Sequence, residues 1–309
     1  MTEAPTRTRA AAIIEALESG APQIALESRY RIGDAVAVLL MTKLIEQRYG
    51  PKQWVLLQPN NIFCGLFEEY IQAAGNAMPD ILMPRDGQAM QRTLALPRLP
   101  DDGRLWMWNQ VCHQIGFRLD WAPTKQRPYR IVFAPLPEAD YSAERCMHPY
   151  FIRDLAQHLS QFPDAVMILP EKPGYHDFDL FREIPIMKIH GPMRECIEII
   201  GNADIFIGGD TGFSHIAGCF PNVRQIAVHD RANTERHVER EYDHMAEHRE
   251  FVLAVCAALG VDVHDTEYRS FPNKRNATCI LSDYGGMDGH AMKEALIAMD
   301  RMLTMEDAA

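Results

Sequence analysis

The sequence predicts an α/β protein of two doubly wound units, and three observations carry that prediction. Short apolar runs alternate with longer stretches of helical apolar spacing, the pattern of parallel strands joined by helices. The alternation runs through the chain twice, interrupted at "APTKQRPY" (122–129), where Pro and charge cluster with no apolar period. A length of 309 residues suits two domains of about 150 residues, each large enough to bury its own core. The expected division is 1–124 and 125–309.

In the first unit, Ala, Ile and Leu at helical spacing predict a helix over 7–19 that Gly20 ends. "QIALES" (23–28) reads as a strand, "RYRIGD" as a turn, and "AVAVLLMTKLIEQRYG" as an apolar-rich helix closed by Gly50. A strand at 54–59, a helix over about 61–74 and a strand at 80–84 follow. Residues 85–103 are polar and Pro-bearing and read as loop; 104–117 read as a helix. In the second unit, "RIVFAPLP" (130–137) is a strand and 148–162 a helix that Pro149 can begin. Strands follow at 165–170 and 185–190, then a helix over 193–203 and the strand "DIFIGG". Residues 224–230 are a further strand, 235–260 one long helix or two, and 286–304 a terminal helix that packs on its own unit or back on the first.

Composition narrows the function classes. A formal net charge of -11 leaves no basic footprint, so broad attraction to a nucleic-acid backbone is disfavoured and no nucleic-acid partner is expected. The seven cysteines are scattered, with no structural-zinc spacing, and read as reduced thiols of a cytoplasmic protein. The opening residues carry no signal-type apolar segment, and no run reaches the length of a membrane span. Peripheral contact with a membrane surface stays open. Neither GxGxxG after the first strand nor GxxxxGK[ST] occurs, so the dinucleotide oxidoreductase and P-loop readings lack their motifs.

Two loops carry chemistry. In "ADIFIGGDTGFSHIAGCF" (203–220) a strand hands over to a helix through Gly208-Gly209-Asp210-Thr211-Gly212. Glycines there let the backbone approach a ligand closely, and the first N–H groups of the helix welcome an anion such as a diphosphate. Asp210 repels phosphate, so its expected work is capping or accepting hydrogen bonds from sugar hydroxyls, with Thr211 and Gly212 as phosphate donors. The plainer alternative is that Asp210 and Thr211 only cap the helix. "RIGDAVAVLL" repeats the logic in the first unit, where Asp34 is either a general base or an N-cap.

Together these loops resemble those of the glycosyltransferases that include the ADP-heptose:lipopolysaccharide heptosyltransferases. "RIGDAVAVLLMTKLIEQRYG" is similar to their opening loop and helix, "MRECIEIIGNADIFIGGDTGFSHIAGCF" to their second-domain motif, and "RIVFAPLPEADYSAERCMHPYFIRDLAQHL" to the start of their second domain. The resemblance implies a GT-B fold, two Rossmann-like domains facing across a cleft, and inverting transfer of a sugar from a nucleotide-diphosphate donor with neither cofactor nor metal. It implies Asp34 as the base, with Arg31 and Gly33 beside it in the acceptor-side loop. Gly209, Asp210, Thr211, Gly212 and His215 then form the donor loop, and Arg145 is the phosphate-binding cation. The acceptor is open between a glycolipid core, as in lipopolysaccharide biosynthesis, a protein and a small molecule. The chain departs from the family at Phe213 and Leu40, where prolines are common, and at "ERCMHP", where a basic-Trp-Pro patch is usual. Two alternatives share the fold: a nucleotide-sugar 2-epimerase-type isomerase, and a non-catalytic nucleotide-sugar-binding member.

Other features read as structural. His244 and His248, with His237 nearby, lie in a segment so charged that a solvated helix face outweighs a metal site. Trp106, Trp108 and Trp121 read as packing near the linker, and "DYGGMDGH" (283–290) as a turn.

Overall fold

The computed structural model describes residues 9–27, 45–57, 81–82, 98–100, 129–135, 147–169, 183–191, 193–209, 211–218, 220, 222–231, 257–258, 260, 277–282 and 289–304. The chain divides into two compact units. The expected boundary at 124/125, the predicted helix over 104–117 and most of the linker lie outside the described residues.

The first unit holds helix α1 (Arg9–Glu18) and strands β1 (Gln23–Glu27), β2 (Gln53–Leu57), β3 (Ile81–Leu82) and β4 (Arg98–Pro100). Ile13 and Leu17, one turn apart, are the buried face of α1, and Ile24 of β1 is fully buried. Gly20 ends α1 as the sequence predicts. Its φ of 76° is open to glycine at little cost, and the Gly20 and Ala21 N–H groups donate to the carbonyls of Leu17 (3.1 Å) and Ala16 (2.9 Å). The helical stretch 45–49 closes in a related way at Gly50, whose N–H donates to the Glu46 carbonyl. The strands form one parallel sheet in the order β3-β2-β1-β4. β4 corrects the sequence reading of 85–103 as loop. Three residues with a terminal proline carry too little apolar pattern to read as a strand, and pairing with β1 defines it.

The second unit holds β5 (Ile131–Ala134), α2 (Pro149–Leu159), β6 (Ala165–Ile168), β7 (Met187–Ile189), α3 (Met193–Asn202), β8 (Ile205–Gly208), α4 (Gly212–Gly218), β9 (Arg224–Asp230), β10 (Ala277–Ser282) and α5 (His290–Thr304). All six strands are parallel, in the order β10-β9-β8-β5-β6-β7. Every residue of β5, β6 and β8 is buried, as expected of parallel strands covered on both faces. On one face Ile131, Phe133, Met167, Ile205, Ile207, Ile226 and Val228 join a core with the apolar stripes of α2 and α5. α3 and α4 pack together, and α4 lies against β8 and β9.

α5 therefore belongs with the second sheet. The Arg224 guanidinium at the start of β9 donates to the carbonyl of Met302 near its end. β10 is a strand that sequence reasoning did not find. At the opposite edge, Lys188 of β7 donates Nζ to the carbonyls of Ile184 (2.6 Å) and Ile186 (3.3 Å), and its partial burial lowers its pKa. A lysine turned onto its own edge strand discourages pairing with another chain.

Candidate functional site

The order of the six strands positions the site. The chain runs β5, β6, β7 outward in one direction, then returns to the other side of β5 and runs β8, β9, β10. This is the doubly wound order in which ligands bind outside the carboxyl ends, where the winding reverses. The reversal falls between β5 and β8. The first sheet has the same logic on a smaller scale, because β1 lies between β2 and β4 and its carboxyl end is Glu27.

At the carboxyl end of β8 the chain passes through Gly209 and Thr211 into α4. The Gly209 carbonyl accepts two hydrogen bonds, from the Thr211 N–H at 2.9 Å and from the Ser214 hydroxyl at 2.5 Å. The Ser214 N–H donates to the Thr211 carbonyl at 3.1 Å, so the helix opens with a tight turn. A Cβ at Gly209 would stand 3.7 Å from both the Met147 side chain and the Val228 carbonyl. Met147 precedes α2, so both sides of the winding reversal meet at this glycine.

Thr211 bears on the two readings of the loop. A threonine that only caps would accept an N–H bond from the helix's first turn through Oγ1. Instead Thr211 is 3% exposed, and its Oγ1 has no hydrogen-bond partner among the described residues. Leaving a buried hydroxyl unbonded costs about 1–3 kcal/mol, so such groups call for an explanation. The Gly212 backbone opens α4, and His215 lies on the same short helix. With seven residues, α4 has little dipole of its own, which corrects the emphasis the sequence placed on its N-terminus.

α2 is the longer helix beside the reversal. Pro149 occupies its first position, and the His148 ring accepts the Tyr150 N–H through Nδ1 at 3.3 Å. Tyr150 is an exposed aromatic, with the Arg153 guanidinium 5.1 Å above its ring and His148 at 5.1 Å. Buried polar residues also mark the carboxyl ends of β9 and β10, at His229 and Ser282.

The structure thus brings Gly209, Thr211, Gly212 and His215 together on one connection. Asp210, between two of them, lies outside the described residues, as do Arg145, Arg31, Gly33 and Asp34. So do His237, His244 and His248; among the described residues no group of three His, Cys, Asp or Glu side chains could hold a metal ion. Likewise no helix among them is long and apolar enough to cross a membrane. Sequence reasoning missed Ser214 and Gln225. Gln225 had a visible signal, as a polar residue inside the apolar run of β9, where it is fully buried.

Comparison with known proteins finds similar solved structures at low sequence identity. No family model matches the sequence, and no curated protein matches it. The iron-containing dodecameric glycosyltransferase TibC of enterotoxigenic E. coli is similar over 67% of this chain, at 13% identity and a TM-score of 0.46. This chain spans 57% of the TibC chain. E. coli heptosyltransferase WaaC, solved with ADP, is similar over 67% of this chain and 86% of its own, at 11% identity and a TM-score of 0.37. A family 9 glycosyltransferase from Veillonella parvula is similar over 77% of this chain and 97% of its own, at 10% identity and a TM-score of 0.41.

Proposed function

We propose that this chain is a cytoplasmic, metal-independent glycosyltransferase of the GT-B type, taking its sugar from a nucleoside diphosphate and inverting the anomeric centre. The observation that carries the reading is the Thr211 hydroxyl, buried and unbonded among the described residues, beside the turn at the winding reversal. A hydroxyl held there without a partner among the described residues suits a phosphate oxygen, and the adjacent backbone supplies further donors. The resemblance of "GGDTGFSH" and "RIGD" to the heptosyltransferase loops supports the same reading.

In the proposed reaction the acceptor oxygen attacks the anomeric carbon from the face opposite the diphosphate. The bond from that carbon to the diphosphate oxygen breaks, and its electron pair leaves with the nucleotide. Asp34, seven residues beyond the end of β1 in sequence, takes the acceptor's proton. Thr211, Gly212 and Arg145 stabilise the leaving diphosphate, with Asp210 as the acceptor for sugar hydroxyls and His215 completing the donor loop. Fixed donors aimed at developing charge are an effective way to lower such a barrier.

The test is a screen of nucleoside diphosphate sugars by thermal shift, followed by transfer assays with glycolipid, protein and small-molecule acceptors. Asp34→Asn is expected to bind donor normally and lose about 10²–10⁴ of the transfer rate. Unchanged turnover in that variant would falsify Asp34 as the base. Release of an isomerised sugar from donor alone identifies an epimerase instead. Activity is also expected to survive EDTA; a strict requirement for added divalent cation contradicts the mechanism.

A further inference from the structure

Ser214 uses three of its groups at once on the connection between β8 and α4. Its hydroxyl donates to the Gly209 carbonyl at 2.5 Å, and its N–H donates to the Thr211 carbonyl at 3.1 Å. Its own carbonyl accepts the side-chain N–H of Gln225 at 2.9 Å, which ties the first turn of α4 to β9. Ser214 and Gln225 are both fully buried. Space has been kept for the arrangement, since a Cβ at Gly208 would stand 2.8 Å from Ser214 Oγ and 2.6 Å from the Phe206 ring. Helix formation needs the N–H bond but neither the hydroxyl's bond nor the glutamine's. The Gly209 carbonyl already accepts the Thr211 N–H, and a serine inside a helix has no obligation to reach back five residues.

We infer that Ser214, anchored by Gln225, is a positioning residue that holds the Gly209–Thr211 turn in the geometry that receives the diphosphate. This rests on the nucleotide-sugar reading and deepens it. Ser214 touches neither the reacting atoms nor the donor; it acts through the Gly209 carbonyl and so through the course of the backbone that carries the Thr211 hydroxyl. Without the hydroxyl the Gly209 carbonyl keeps one bond and the turn gains alternatives, and binding must then order it. That cost falls on the diphosphate alone, because the nucleoside part of the donor gains nothing from this turn.

The test is calorimetric titration of the full chain with ADP, GDP, UDP, CDP and inorganic pyrophosphate, and with the nucleoside of whichever diphosphate binds. Ser214→Ala is expected to weaken the diphosphate and pyrophosphate about three- to tenfold, the worth of one such hydrogen bond, and to leave the nucleoside unchanged. Ser214→Cys, near in size with a weaker donor, is expected to fall between. If Ser214→Ala lacks a native thermal transition, Ser214→Cys carries the comparison. Unchanged diphosphate affinity in a folded variant overturns the inference while leaving the glycosyltransferase reading intact. Equal weakening of nucleoside and diphosphate also overturns it, as the mark of a general structural loss. Absence of any nucleotide binding by the unsubstituted chain removes the reading and the inference together.

Discussion

Thr211 combines two properties that a purely structural residue would not need. It is buried, and its hydroxyl is unbonded among the described residues. Replacing it with valine keeps the shape and removes the unsatisfied group. Thr211→Val is therefore expected to be neutral or to stabilise the protein by about 1 kcal/mol, because an unbonded buried hydroxyl is itself a cost. The same change is expected to weaken nucleoside diphosphate binding about tenfold. Denaturant melts and titration of one variant check both halves. A variant that loses stability and keeps affinity returns Thr211 to ordinary packing. Sequence alone could single out Thr211 by its place after two glycines and an acid. It could not choose between cap and ligand donor, because that choice depends on which N–H groups the hydroxyl reaches.

Among elements, the β8–α4 connection is the most tightly specified. β8 is buried throughout and ends at Gly208, where a side chain would meet Phe206 and Ser214 below ordinary contact distance. Gly208→Ala is expected to destabilise the protein by about 1–3 kcal/mol through forced repacking, read as a lowered denaturation midpoint at unchanged slope. Its φ is not in the left-handed region, so crowding rather than backbone strain is the cause. Several elements were legible in advance. Gly20, Gly50 and Pro149 act at helix ends as their chemistry dictates, and the four apolar residues 131–134 form a strand within the expected 130–137. β4 and β10 were not legible. A strand of three residues and one whose apolar run is only Cys279-Ile280-Leu281 become strands by pairing, and pairing partners lie far away in sequence.

For the whole molecule, the net charge of -11 means that the proposed diphosphate site has to rely on local donors rather than a broad positive field. A nucleoside diphosphate at a hundred times its dissociation constant is expected to add about 2.7 kcal/mol to the stability of the unit that binds it. Hydrogen exchange should locate that gain on the second unit, with slowing across 209–218 and little change in β2. Slowing confined to the first unit contradicts a donor site at the reversal of the six-stranded sheet.

What the sequence by itself determined was the α/β class, the two rounds of alternation and the glycine-rich connection that follows β8. Apolar periodicity and the conformational limits of Gly and Pro are local, so they can be read along a chain. Only the tertiary structure decided the strand orders, and with them that β8 lies beside β5 at the point of reversal. It alone brought Ser214 and Gln225 to the turn and left the Thr211 hydroxyl buried without a partner among the described residues. Parallel pairing and the satisfaction of buried polar groups are settled between residues distant in sequence, and no local pattern encodes them.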